Sequence, residues 1–433
     1  MNELARRLSR HFTSIDPEVD FRIRQGIDSN RKSFATLNIV DGEGVPVQAA
    51  RVKVTLKRHA YQFGCNLFML KQFPHEEQNA AYEETFRDVF NLAVVPFYWS
   101  DLEPVDGSPR FAADSPNIYR RPAPDLCVEY CERNGITPKG HPLLWHQFWP
   151  AWLTGSKREI EMRIVQRFEE IAARYGDRIR IWDVANEAQS PGVNPRLPDS
   201  HVDFAFEHAA RLFPTSTLTY NDDCHWYDLH GDYSPVYLLV QHLMDRGRKV
   251  NALGCQYHMF DGQIEKVDTM LNPRHLFACL DQYGKLGLPI NMSEISLVSR
   301  HDLGDGDEFQ SLFLERLYSV WFSHAATNGL IWWNLVDGTA AYAPLGSDEG
   351  ENKLRAGLVN FDFTPKKAFK TLKRLIQHEW TTNETVEYSA QAPNIFHGFH
   401  GEYDAEVTTA AGTFKTSFSL REKQSNTIRI VLP

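Results

Sequence analysis

The chain has 433 residues, 42% of them hydrophobic and 12% aromatic, which excludes a disordered chain and provides for a large packed core. A formal net charge of −10 argues against duplex nucleic acid and against an anionic membrane surface, since both ask for a basic face. The length suits one barrel-sized domain with an accessory module, and the charge suits a neutral substrate.

The N-terminal stretch, MNELARRLSRHFTSIDPEVDF, alternates charge with single apolar residues and has no continuous hydrophobic region of the kind a signal peptide carries. No apolar run is long enough to span a bilayer, so a cytoplasmic location is expected. Cys65, Cys127, Cys131, Cys224, Cys255 and Cys279 are scattered, several of them within apolar segments, and read as reduced core cysteines. Cys127 and Cys131 lack the second pair that would complete a zinc site. No metal and no cofactor is expected, and the sequence carries no signal for oligomeric state.

Residues 1 to about 30 read as a polar, helical lead-in. From Lys32, alternation around Asn38 to Val40 and Arg51 to Leu56, with Asp41-Gly42 and Gly44 between, predicts two strands joined by a turn. The same β-rich texture returns from about Thr381 to the C-terminus. Neither piece has enough strands to bury a face alone, so the two are expected to form one β-sandwich-like module. The expected organisation is residues 1–57 and 379–433 in that accessory module, with 58–378 as the catalytic domain between them.

Within 58–378, short apolar runs alternate with amphipathic helical stretches, the pattern of βα units in an α/β fold. Strands are predicted at Tyr61 to Asn66, Leu92 to Pro96, Thr137 to Leu144, Ile179 to Ala185, Thr217 to Tyr220, Ala252 to Gln256, Pro289 to Ser293 and Gly329 to Trp333. Helical patterns include Arg158 to Ala173, Asp203 to Leu212, Tyr233 to Asp245 and Phe309 to Ala326. Eight strands are what a closed (β/α)8 TIM barrel needs, and such barrels build their active sites at the carboxyl ends of the strands.

Read there, the fourth strand runs into Asn186 and Glu187, and the seventh into Glu294, which predicts two carboxylates with separate roles. The third strand is followed by His141, Trp145, His146, Gln147, Trp149 and Trp152, the fifth by Tyr220 to Asp223, the sixth by Gln256 and His258, and the eighth by Trp332, Trp333, Asn334 and Asp337. Indole faces stack on apolar sugar faces while imidazole and amide groups reach hydroxyls, so a carbohydrate partner fits this rim. For Trp149, Trp152 and Trp332, sugar stacking and barrel packing are both open. The acidic loops 301–308 and 346–352 follow the seventh and eighth strands and read as solvated, because their carboxylates do not follow an EF-hand spacing.

Six segments together resemble glycoside hydrolase family 10, the retaining endo-β-1,4-xylanases: GHPLLWH at 140–146, WDVANEA at 182–188, YNDD at 220–223, GCQYH at 254–258, MSEIS at 292–296 and WWNLVD at 332–337. The resemblance implies Glu187 as general acid/base and Glu294 as nucleophile. It implies Asn186 on the sugar 2-hydroxyl, and His141, Trp145, Gln256, His258 and Trp333 around the reacting sugar. Retention needs the two carboxyls roughly 5 to 5.5 Å apart, one protonated and one ionised.

The chain also departs from the family. Trp99 and Glu103-Pro104 match the segment after the second strand, but Tyr98 stands where a lysine is expected and a Glu-Asn pair is missing. Tyr98 and Trp99 are therefore expected in a rebuilt sugar-binding wall. Ser296 replaces the aspartate that would partner the histidine, Ala341 and Tyr342 lie near the place of a second tryptophan, and Phe148 takes the place of a glutamine beside Gln147. The expected activity is hydrolysis of a β-linked glycoside, with an oligosaccharide favoured by the absence of a leader. The competing class is a non-hydrolytic carbohydrate-binding or inhibitor protein on the same barrel.

Overall fold

The computed structural model describes residues 3–14, 16–189, 197–198, 200–224, 226, 234–259 and 266–433. Two helices lead, Glu3–Thr13 and Pro17–Arg31. Asp16 caps the second by accepting from the N–H groups of Glu18 and Val19, and Pro17 presets its first turn. Arg31 ties that helix to the barrel helix Gly306–Ser323. Its guanidinium donates to the Phe322 carbonyl at 2.5 Å and the Thr327 hydroxyl at 2.9 Å, and lies 4.6 Å from the Tyr61 ring centre. Strands β1 (Lys32–Val40) and β2 (Ala49–His59) follow.

The barrel comes next: β3 (Gln62–Asn66), β4 (Leu92–Pro96), β5 (Thr137–His141), β6 (Leu144–Trp145), β7 (Ile181–Asn186), β8 (Thr217–Asp223), β9 (Ala252–His258), β10 (Ile290–Ser296) and β11 (Thr327–Trp332). They pair in parallel in the order β5-β4-β3-β11-β10-β9-β8-β7-β6, and a further β5–β7 pairing closes the ring. β5 and β6 are two halves of one barrel strand, both laid against β7 and parted around Pro142, which has no N–H for the ladder. The ring thus has the eight strands expected of a (β/α)8 barrel. Burial is continuous along β4 and β10, as it must be for strands covered on both faces. The covering helices include Lys157–Tyr175, opened by a Ser156/Glu159 capping box, along with His201–Leu212, Pro235–Asp245 and Gly306–Ser323. Tyr233, the expected start of the third of these, lies outside the described residues.

Gly140 and Gly329 mark the tightest approaches in this ring. A Cβ at Gly140 would stand 2.1 Å from the fully buried Trp182 indole of β7. Gly140→Ala is expected to lower unfolding free energy by about 1–3 kcal/mol or more through overpacking, read as a lower denaturant midpoint. An unchanged midpoint would show that the indole has room to move.

After the barrel come β12 (Asn383–Ser389), β13 (Ile395–Phe399), β14 (Gly401–Thr409), β15 (Gly412–Leu420) and β16 (Thr427–Val431). They join the N-terminal strands in two sheets, β13-β1-β16 and β12-β2-β14-β15. The sheets face one another: Ile39 N–H donates to the Tyr388 hydroxyl at 3.2 Å, and Phe396 packs on Tyr403 and Phe418 at 5.8 and 6.1 Å. The expected hairpin between β1 and β2 is corrected here, because the two strands lie in different sheets. Asp41 turns the chain locally by accepting from Glu43 and Val45 N–H, and the long connection 41–48 then carries it across the sandwich. All six cysteines are buried thiols without disulfides. Among the described residues no helix is long and apolar enough to cross a membrane.

Candidate active site

Both glutamates leave strands at the same barrel rim, and in both strands the pairing slips by one residue just before the carboxylate. The β7–β8 register shifts between Asp183 and Ala185, and the β10–β9 register between Met292 and Glu294. Bulges of this kind break the alternation of a strand and re-aim the side chain that follows. Glu187 itself has φ +51°, its N–H held by the Asn221 carbonyl at 2.8 Å. Arg120, Phe148 and Tyr342, which line the same cleft, also have positive φ. Such conformations cost non-glycine residues free energy and persist where the surroundings impose them, commonly at functional sites.

One amide joins the two carboxylates. Gln256 Nε2 donates to Glu187 Oε1 at 2.9 Å and to Glu294 Oε1 at 3.1 Å, so these oxygens are separated by no more than the sum of the two distances, 6.0 Å. Asn221 Nδ2 donates to Glu294 Oε1 at 2.8 Å and to Asn186 Oδ1 at 2.7 Å. His258 Nε2 lies 3.2 Å from Glu294 Oε2, and His141 Nε2 lies 3.9 Å from Oε1. The imidazole of His141 is oriented from behind by Asp183 at 2.9 Å, whose other oxygen meets the buried Lys139 ammonium at 3.0 Å. The orientation of His258, put in question by Ser296, is supplied by the Ser296 hydroxyl, 2.9 Å from Nδ1. A hydroxyl can donate as well as accept, so it orients the ring without adding the negative charge an aspartate would bring.

The electrostatics separate the pair. Burial and then the charge of Glu294 push the Glu187 carboxyl up to about 7, partly offset by the Gln256 hydrogen bond. Burial alone would lower His258, but its hydrogen bond to Glu294 and the charges of both glutamates outweigh that and hold the ring above its ordinary value. Burial also pushes Asp222 up to about 6, although Tyr220, Gln189 and Asp223 donate to it. A carboxyl protonated near neutrality therefore faces one supplied with several donors.

The cleft has a volume of about 290 Å³. Its lining contains nine of the ten residues singled out from the sequence: Tyr98, His141, Trp145, Asn186, Glu187, Gln256, His258, Glu294 and Trp333. Asn186 Nδ2 and Trp145 Nε1 are buried there without a hydrogen-bond partner among the described residues, as donors kept for substrate hydroxyls would be. Trp99 is the exception and is corrected here. It lies behind the lining, donating to Glu103 at 2.9 Å and packing on Trp149 and Trp152, because the short helix Trp99–Leu102 turns its ring away from the cleft side of Tyr98. Trp332 is fully buried barrel packing, and Trp149 and Trp152 belong to the Trp99 cluster.

Sequence reasoning missed Arg120 and Arg121, which enter from the long loop before the helix Pro124–Asn134, and it left Phe148, Tyr342 and Glu351 without roles although all line the cleft. Only the adjacent pair of arginines in a loop could have drawn attention, and nothing local says where that loop folds. Of the acidic loops, Asp305 caps the helix Gly306–Ser323 while Glu351 stands on the exposed cleft rim. Among the described residues no His, Cys, Asp and Glu cluster could hold a metal.

A (β/α)8 barrel whose rim holds a bridged carboxyl pair in an aromatic cleft has the architecture of a glycoside hydrolase. Comparison with known proteins agrees: the profile of glycosyl hydrolase family 10 matches residues 65–375, and the chain belongs to that family. The anti-sigma-I factor RsgI6 of Acetivibrio thermocellus is 26% identical over 409 residues, covering 91% of this chain and 47% of that protein. Endo-1,4-beta-xylanase 2 of Arabidopsis thaliana is 25% identical over 425 residues, covering 95% and 35%. The chain thus spans half or less of the length of these two relatives. Xylanase 10B from Thermotoga petrophila, solved in complex with xylobiose, shares the fold with a TM-score of 0.56 and 21% identity, covering 74% of this chain and 95% of that one.

Proposed function

We propose that the chain is a retaining hydrolase of β-linked glycosides of the xylan type, acting on oligosaccharide or polysaccharide by double displacement. The observation that carries this is the Gln256 bridge. It keeps the nearest oxygens of Glu187 and Glu294 within 6.0 Å, below the roughly 6.5–9.5 Å that an inverting enzyme needs to place a water between its carboxyls. In the first step Glu294 attacks the anomeric carbon while Glu187 gives its proton to the leaving oxygen. The covalent intermediate removes the negative charge of Glu294, which lowers the pKa of Glu187 and lets it draw a proton from the incoming water. Asn186 donates to the 2-hydroxyl, while Trp145 and Trp333 offer the sugar its apolar walls.

Membership of family 10 and the xylanase among its relatives support xylan-type substrates. The relative named as an anti-sigma factor keeps a binding role in view. A pure binder gains nothing from an acid and a second carboxylate bridged by one amide, so hydrolysis is favoured. The test is proton NMR of the reducing end during hydrolysis of xylo-oligosaccharides. The β-anomer is expected first, with the α-anomer appearing only by mutarotation; the α-anomer first, or no cleavage across xylose-, glucose-, galactose- and arabinose-based oligosaccharides, would overturn the proposal.

A further inference from the structure

The wall formed by Tyr98, Phe148 and Tyr342 carries two buried cations. Arg120 and Arg121 are 3% and 8% exposed, far below what guanidinium groups accept unless they are paired. Arg121 uses Nε on Asp101 at 2.9 Å and Nη1 on the Arg120 carbonyl at 3.0 Å, which leaves its Nη2 without a hydrogen bond among the described residues. Its plane is fixed by packing, with Cζ 3.8 Å from the Tyr98 ring centre and 5.1 Å from that of Phe148. Arg120 gives Nη1 to Asn334 at 3.0 Å and to the Thr339 carbonyl, while its Nε is buried with no partner among the described residues. Among the described residues only Arg121 has an ion pair, with Asp101, while Glu351 stands on the exposed rim, where solvent screens it.

The position of these cations defines what they could meet. Tyr98 touches His141 and Trp145 at ring distances of 5.6 Å, and both of those line the cleft beside Glu294. The arginines therefore line the same cleft as Glu187 and Glu294, on its Tyr98 side. Resting on the hydrolase reading above, we propose that this enzyme selects a glycan with a carboxylate on the sugar seated against the Tyr98 wall, bound by the Arg120–Arg121 pair. The unengaged Nη2 of Arg121 can donate a charge-assisted hydrogen bond to a carboxylate. The carboxylate can belong to a backbone uronosyl unit or to a uronic acid branch on a neutral backbone.

The test measures binding to the full-length Glu294→Ala protein by calorimetry, so that turnover does not enter. The probes are xylotetraose, xylotetraose bearing one glucuronosyl branch, and a tetrasaccharide with a glucuronosyl unit in its backbone. One of the two acidic probes is expected to bind roughly 10- to 100-fold more tightly than xylotetraose, the gain of a charge-assisted pair, and which of them does so identifies the source. Adding Arg121→Gln is expected to abolish that ratio and Arg121→Lys to retain part of it. The ratio is read rather than either affinity, because partial unfolding would lower both alike. Equal binding of acidic and neutral probes, no binding of any, or a ratio that survives Arg121→Gln would overturn the proposal. Hydrolysis of neutral oligosaccharides without acidic preference would sink this inference and leave the hydrolase reading standing. Acidic preference in binding without turnover of any probe would do the reverse.

Discussion

Glu294→Ala is expected to abolish turnover, with a loss of four or more orders of magnitude on aryl β-xylosides, because among the described residues Glu294 is the carboxylate that Gln256 holds opposite the acid Glu187. Asn221, Gln256 and His258 surround Glu294, and a strand fixes it in a site 4% exposed, so its reach is set by the barrel rather than by a mobile loop. Removing the carboxylate leaves a small hole lined by those donors. Added azide is expected to enter it, attack from the same face and restore cleavage of activated substrates with a glycosyl azide of inverted configuration. Wild-type activity in the variant, or rescue that yields no glycosyl azide, would show that Glu294 is not the nucleophile. Thermal unfolding should be measured alongside, since the variant also takes one of two acceptors from each of the Asn221 and Gln256 amides.

Glu187→Ala is expected to be selective where Glu294→Ala is not. General acid help is worth about 10² to 10⁴, and only a poor leaving group needs it. Xylo-oligosaccharides should therefore slow by that factor while an activated aryl glycoside slows far less in its first step. The pH dependence follows from the same proton. With Glu187 near 7, kcat/KM on poor leaving groups is present while the carboxyl is protonated and falls about tenfold per pH unit above that value. In the variant, the alkaline fall should disappear. Equal losses on both substrates, or an unchanged alkaline limb, would contradict the assignment.

The strands that matter were legible because a parallel barrel strand is a short apolar run between polar helices, and its end is marked where the run meets Asn186, Glu187 or Glu294. Leu92–Pro96 was read to the residue. The hairpin of β1 and β2 was misread because alternation predicts a strand but not its partner: the partners, β13 and β12, lie more than 300 residues away in sequence. Trp99 is misplaced for a related reason: the chain passes from the extended Tyr98 into a helical turn at Trp99, and that change of backbone sends the two rings to different surroundings.

The amino-acid sequence by itself determined the kind of barrel, the two carboxyls and most of the groups around them, because these properties reside in local apolar periodicity and in residue identity at strand ends. Tertiary structure alone decided that one Gln256 amide spans both acids, that burial and like charge lift Glu187, and that Arg120 and Arg121 fold in behind Tyr98. Distance, dielectric surroundings and charge pairing are relations between segments far apart in the chain, and they come into being only when the ring closes.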